Sequence, residues 1–296
     1  MASEYAPTHG SGSIRTVAIV GSGYMGGGIA QVLALSGRDV VLSDVDAARA
    51  QASRVRLLEE ARRFVAADLF DPGSVEVLEQ RLRAADSIES AVADVDYVTE
   101  AVFESPEVKG EALQRISRAA RPDTVIGTNT SAIPIGELAK SVDGPERFMG
   151  VHWMNPAPFV PAIELIPTPH TTEDAIARVT AMLVEAGKAP ALVADSPGFV
   201  ANRLQFALYK EAVRIVDEGL AAEYGDRLAA PERLTQTVAA GNLGIKTGRG
   251  FLDSPAEDVP ALVAYRDAAY RRLSQLRREL GAAPGLEVAA AREVPQ

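Results

Sequence analysis

The sequence predicts an α/β protein, a wound-sheet domain followed by a smaller all-helical domain, on three observations. Short apolar, β-branched runs alternate with helix-periodic stretches from Thr16 to Val193, the βαβα pattern of a wound sheet. A glycine-rich turn, Gly21-Ser22-Gly23-Tyr24-Met25-Gly26, joins the first apolar run to the first helical stretch, which makes the sheet Rossmann-type. After Ser196-Pro197-Gly198 the periodicity is helical and no convincing strand follows.

Taken in order, residues 1–13 form a Ser/Gly-containing tail, and Thr16–Val20 is the first strand, ending at the glycine turn. The apolar residues from Met25 to Leu35 recur at helical spacing, Asp39–Asp44 reads as the second strand, and Ala47–Ala67 as a long charged helix. Asp71-Pro72-Gly73 breaks that helix and Ser74–Arg83 resumes it. Further strands are expected at Tyr97–Val102, Val125–Thr128, Phe148–His152, Ile163–Ile166 and Ala191–Val193. The wound domain then spans 14–194. The helical domain spans 195–296, opening on a helix that carries Phe199, Phe206 and Val213 at spacing seven. Val259 to Leu280 reads as one long charged helix, and the end from about residue 281, rich in Ala, Pro and Gly, as frayed.

Composition narrows the function. The chain has 296 residues, 47% of them hydrophobic and 24% charged, which suits packed globular domains. A net charge of −10 argues against broad binding to nucleic acid or an anionic membrane, so an anionic ligand has to be caught locally. With no cysteine there are no disulfides, thiolate metal sites or thiol nucleophiles, and no metal cluster is expected. No signal-peptide pattern opens the chain and no run of 18 apolar residues occurs, so the expected location is cytoplasmic.

The glycine turn is a weak motif alone. Glycines permit the tight bend and let main-chain N–H groups approach a pyrophosphate, which the helix N-terminus then stabilises. Asp44 strengthens the reading, since a carboxylate closing the second strand accepts the ribose hydroxyls of an adenosine. It would repel a 2′-phosphate, and Val45-Asp46 offers no arginine to accept one, so NAD is expected rather than NADP.

A nicotinamide enzyme that oxidises an alcohol needs a base titrating near neutral pH, and the chain has three histidines. His9 is in the tail, and His170 lies in the loop Pro167–Thr171, where a surface or capping role suits it better. His152 remains. It closes an apolar strand and precedes the bend Asn155-Pro156-Ala157-Pro158, which sets it beside the ligand crevice of the sheet. Glu164 interrupts the apolar run Ala162–Ile166, where an unpaired charge would be costly. The proline-rich turns between 152 and 164 let the chain return beside itself, so an imidazole–carboxylate pair is sterically reasonable, with an exposed edge Glu as the alternative. Asn202 shares a helical face with Phe199 and Phe206, fitting a cap of the interdomain joint and a ligand donor equally. Thr128-Asn129-Thr130-Ser131 sets hydroxyls and an amide at the crevice edge, as an ordinary polar turn also would.

Together these segments resemble the L-3-hydroxyacyl-CoA dehydrogenase family, with its 3-hydroxybutyryl-CoA dehydrogenases and lambda-crystallin-type relatives. The matching segments are Gly21–Ala30, Thr99–Glu104, Thr128–Ser131, His152–Pro156 with Glu164, and Asp195–Arg203. The resemblance implies a catalytic pair His152 and Glu164, substrate contacts at Ser131 and Asn202, and NAD contacts at Asp44, Glu104, Lys109, Asn155 and Lys246, beside Gly21, Gly23, Tyr24, Met25 and Gly26 of the turn. It implies an acyl thioester substrate carried on CoA, or a free hydroxy acid as in the lambda-crystallin-type relatives, and it allows a homodimer. One departure concerns Lys246-Thr247-Gly248-Arg249-Gly250-Phe251, which follows Asn202 after a much shorter interval than the family's. The helical part that in the family builds the substrate cleft and much of the dimer contact is thereby expected to be shortened here. Arg54, Arg56, Arg62 and Arg63 fit either a CoA contact or a solvated helix face.

Overall fold

A computed structural model describes residues 12–218, 236, 239–240 and 259–280. The chain divides into two compact units, one running to Pro197 and resuming at Tyr270, the other covering Gly198–Ala269.

The first unit is an eight-stranded sheet flanked by helices. Its elements in chain order are β1 (Thr16–Val20), α1 (Tyr24–Leu35), β2 (Asp39–Ser43), α2 (Ala47–Ala66), α3 (Ser74–Arg81) and β3 (Leu82–Ala84). There follow α4 (Ile88–Val92), β4 (Tyr97–Glu100), α5 (Pro106–Ala119), β5 (Val125–Thr128), α6 (Ile135–Ala139), β6 (Phe148–Trp153), β7 (Ala162–Pro167), α7 (Glu173–Glu185) and β8 (Ala189–Leu192). The strand order is β3-β2-β1-β4-β5-β6-β7-β8. Neighbours pair in parallel except β6 and β7, which are antiparallel. The chain reverses direction across the sheet between β1 and β4, so the carboxyl ends of β1, β4, β5 and β6 share one edge, where such folds bind ligands.

Local chemistry accounts for the elements. β1, β4, β5 and β6 are buried almost throughout, as strands covered on both faces must be. Helix starts are capped: the Asp46 carboxylate accepts from Arg49 N at 2.7 Å on α2, Thr172 from Ala175 N at 3.3 Å on α7, and α5 opens on Ser105-Pro106. Asp96 stitches the start of β1 to the sheet, its Oδ2 accepting from Arg15 N, Thr16 N and Thr16 Oγ1, each at 2.9 Å.

Three expectations need correction. Ser74–Arg83 is not all helix: α3 stops at Arg81 and Leu82–Ala84 adds an edge strand beside β2, too short for a period-2 signal. The last strand is Ala189–Leu192 rather than 191–193. The helix after Ser196 starts only at Ala201, because Gly198 (φ +75°) and Phe199 (φ +49°) turn the backbone left-handed. Phe199 therefore shares no helix face with Asn202 and Phe206.

In the second unit, α8 (Ala201–Glu218) carries Asn202 in its first turn. The long helix expected at Val259–Leu280 is present as α9. Lys246 lies outside the described residues, as do most of the expected tail and all of the expected frayed end. Among the described residues no helix is long and apolar enough to cross a membrane, and no His, Cys, Asp and Glu cluster could hold a metal.

Candidate active site

The glycine turn is built for close main-chain approach. Gly21 has φ +93°, and a Cβ there would lie 2.5 Å from the Ala101 carbonyl oxygen. A Cβ on Gly26 would lie 1.9 Å from the Gly21 carbonyl oxygen. Gly23 is the opposite case, with nothing within 4 Å of where its Cβ would be. It is the N-cap of α1 and gives no side-chain cap, and the first turn of α1 carries no acid. Uncapped N–H groups beside an open glycine fit the pyrophosphate of a dinucleotide.

Asp44, just past β2, braces this turn. Its Oδ2 accepts from Ser22 N at 2.9 Å and Ser22 Oγ at 2.6 Å, and its Oδ1 from Val45 N at 2.9 Å. Partial burial alone would raise its pKa, but these hydrogen bonds, with Arg49 nearby, outweigh it and hold the carboxyl below its usual value. The acid expected on the ribose therefore stays ionised at neutral pH. Arg56 Nη2 donates to the Ser22 carbonyl at 2.9 Å, Arg54 binds the carbonyls of Leu82 and Glu79, and Arg62 pairs with Glu79. Three of the four arginines weighed as a CoA contact, Arg54, Arg56 and Arg62, thus have protein partners.

His152 and Glu164 stand directly opposite each other across the antiparallel β6–β7 pair. Register, not chance folding of a loop, brings them together. His152 Nδ1 lies 2.8 Å from Glu164 Oε2, with the side chains 6% and 8% exposed. An ionised carboxylate at this place only accepts, which puts a proton on Nδ1, and a neutral ring in that tautomer has Nε2 as its acceptor nitrogen.

The neighbouring loops converge on the same edge. Asn129 Oδ1 accepts from Trp153 N at 2.9 Å, tying the end of β5 to the residue after His152. Glu104 Oε1 accepts from Thr130 Oγ1 at 2.6 Å and Ser131 N at 2.8 Å. Partial burial would raise the Glu104 pKa, but these bonds and the charge of Lys109 hold it down. Lys109 is 1% exposed: its Nζ donates to Glu100 Oε1 at 2.8 Å and lies 3.2 Å from Glu104 Oε2. Asn155 is exposed in the β6–β7 turn, and Tyr24 is exposed at the head of α1 with Met25 partly buried behind it. Asn202 is partly buried on the second unit.

Two residues of this region escaped the sequence reading. Glu100, fully buried, accepts from Lys109, from Thr128 Oγ1 at 2.5 Å and from Val102 N at 2.8 Å. The signal was present, an acid ending an apolar strand as Glu164 interrupts one. Lys188, buried near β8, offered no signal, since a lone lysine after a glycine looks like a surface residue.

A doubly wound sheet with an open glycine turn, an acid beyond its second strand and a histidine–carboxylate pair on the same edge defines a dinucleotide-dependent oxidoreductase. Residues 16–196 match the family model described as 3-hydroxyacyl-CoA dehydrogenase, NAD binding domain. The 3-hydroxybutyryl-CoA dehydrogenase of Bradyrhizobium diazoefficiens is 31% identical over 269 residues, 87% of this chain and 92% of that protein. The crystal structure of (S)-3-hydroxybutyryl-CoA dehydrogenase PaaH1 from Ralstonia eutropha is 32% identical, with a TM-score of 0.71 covering 80% of this chain and 98% of that one. The NAD+-dependent dismutase 5-formyl-3-hydroxy-2-methylpyridine 4-carboxylic acid 5-dehydrogenase is 28% identical, with a TM-score of 0.79 covering 91% and 100%. The chain belongs to the 3-hydroxyacyl-CoA dehydrogenase family and is an NAD-dependent dehydrogenase of that type.

The expectation that Asp44 meets the ribose is tested by Asp44→Asn, which removes the charge while keeping a side chain of the same size. The KM for NAD is expected to rise on the order of 10-fold or more and the preference over NADP to shrink, as read from initial rates with each cofactor.

Proposed function

We propose that the protein interconverts a 3-hydroxyacyl-CoA and the 3-ketoacyl-CoA, with His152 as the proton-transfer group and Glu164 as its orienting acid. The observation that carries the reading is the 2.8 Å contact between the two side chains, almost enclosed, on the sheet edge that also holds the glycine turn. Bound NAD supplies the acceptor for the hydride leaving C3. His152 Nε2 takes the proton of the 3-hydroxyl, and the imidazolium so formed is stabilised by the Glu164 carboxylate at Nδ1. In the reverse direction His152 returns the proton to the 3-keto oxygen. Ser131, and Asn202 of the second unit, are the donors that the family resemblance assigns to that oxygen.

In the same reading the wound domain of 14–194 holds NAD and the helical part from 195 supplies substrate contacts. Glu104 and Asn155 contact the cofactor, with buried Lys109 holding Glu104 in place, and Lys246 completes the set. NADH absorbance is expected to fall when acetoacetyl-CoA is added to the protein. No turnover of acetoacetyl-CoA or longer 3-ketoacyl-CoA esters would refute the assignment.

A second reading keeps the chemistry and exchanges the thioester for a free acid. It is favoured by the dismutase relative, whose name describes a pyridine carboxylic acid. A substrate panel separates the two, because free hydroxy acids then outrun thioesters.

A further inference from the structure

The turn between β6 and β7 carries Asn155 and is held by a residue outside every motif. Lys188, between α7 and β8, is 8% exposed and directs its ammonium at three main-chain carbonyls of that turn. The distances are 2.6 Å to Ala157, 3.0 Å to Val160 and 3.3 Å to Pro158. Three carbonyls match the three N–H donors of an ammonium. The same nitrogen lies 5.6 Å from the centroid of the Trp153 ring.

Elsewhere the turn rests on α1. A Cβ on Gly28 would come within 3.1 Å of Pro158 Cδ and 3.3 Å of Ala157 Cβ, so the turn is seated on the helix whose start is the glycine turn. Phe159 packs edge-on to Phe64 at 5.4 Å, between centroids. With the Lys188 nitrogen removed, three carbonyls lose their donor and the seat on α1 loses its anchor.

We propose that Lys188 is a positioning residue for the cofactor, its side-chain nitrogen fixing the β6–β7 turn so that Asn155 meets bound NAD. The inference rests on the cofactor contact proposed for Asn155. Lys188 itself touches no reacting atom.

Burial pushes the Lys188 ammonium down to about 8, and burial is the sole cause of that shift. The titratable groups on β6, β7, α7 and α1 are His152, Glu164, Glu173, Asp174, Arg178, Glu185 and Tyr24, and none of them contributes to that shift. His152 and Glu164 bind each other, and Glu185 pairs with Arg38. The sign follows from linkage. An opened turn returns Lys188 to water and to the ordinary lysine range, so a bound proton favours opening. As pH rises through about 8 the proton leaves and the closed turn gains. The neutral amine keeps two N–H donors without the cost of a buried charge. A ligand that holds the turn closed therefore moves the transition to lower pH, and binds more tightly above it than below.

Trp153 is the single tryptophan of the chain, so its emission reports on the nitrogen beside its ring. In the wild-type protein that emission is expected to titrate above pH 8, and saturating NAD to bring the midpoint down towards about 8, the value of the closed turn. Lys188→Met is expected to abolish the transition and raise the KM for NAD on the order of 10-fold, with kcat within about threefold, and Lys188→Arg to recover most of the loss. A wild-type midpoint that NAD leaves in place, or a folded Lys188→Met protein with unchanged KM for NAD, overturns the proposal. The wild-type titration needs neither a folded variant nor turnover, so its failure is distinct from failure of the dehydrogenase reading, which acetoacetyl-CoA reduction tests.

Discussion

Replacing His152 with alanine is expected to lower kcat by about 10²–10⁴-fold while leaving NAD affinity within a few-fold. The size follows from losing a positioned proton carrier. The selectivity follows from the fold, because the glycine turn joins β1 to α1 and Asp44 follows β2, whereas His152 belongs to β6. Glu164→Gln should act in the same direction, since an amide can donate to Nδ1 and so favours the tautomer whose Nε2 carries a proton. Steady-state rates with NADH and acetoacetyl-CoA, beside calorimetry of NAD binding, separate the two effects. A His152→Ala enzyme with wild-type kcat would remove the residue from its proposed role.

The second large effect falls on stability. Lys109→Met strands the Glu100 carboxylate, since the two side chains are 1% and 0% exposed and only Thr128 and the Val102 N–H remain as donors. Removing one member of a buried pair typically costs about 3–5 kcal/mol, which for a chain of this size lowers Tm by roughly 10 °C. Glu100→Gln combined with Lys109→Met should recover much of the loss, because no uncompensated charge then stays inside. Calorimetric melting of the two variants checks both statements. A Lys109→Met protein that melts with the wild type would show that water reaches Glu100.

Much of this site was legible because its signals are local. The turn Gly21–Gly26 follows an apolar run, Asp44 closes the next one, and Glu164 breaks a run that has no other reason to hold a charge. The proline-rich stretch between His152 and Glu164 permitted their pairing. The antiparallel register that delivers it rests on long-range contacts between strands and left no periodic trace. The strand Leu82–Ala84 was hidden for a related reason, as three residues joined directly to a helix carry no alternation of their own. Phe199 was misplaced because spacing cannot reveal a left-handed backbone, even with Gly198 beside it. Lys188 was invisible because its partners are main-chain carbonyls, which every sequence supplies.

The most direct test of the account is a crystal structure of the protein with NAD and acetoacetyl-CoA. His152 Nε2 is expected within about 3 Å of the 3-keto oxygen, with Nδ1 still on Glu164 and C3 facing the nicotinamide. A substrate oxygen directed away from His152 and held by another group would contradict it.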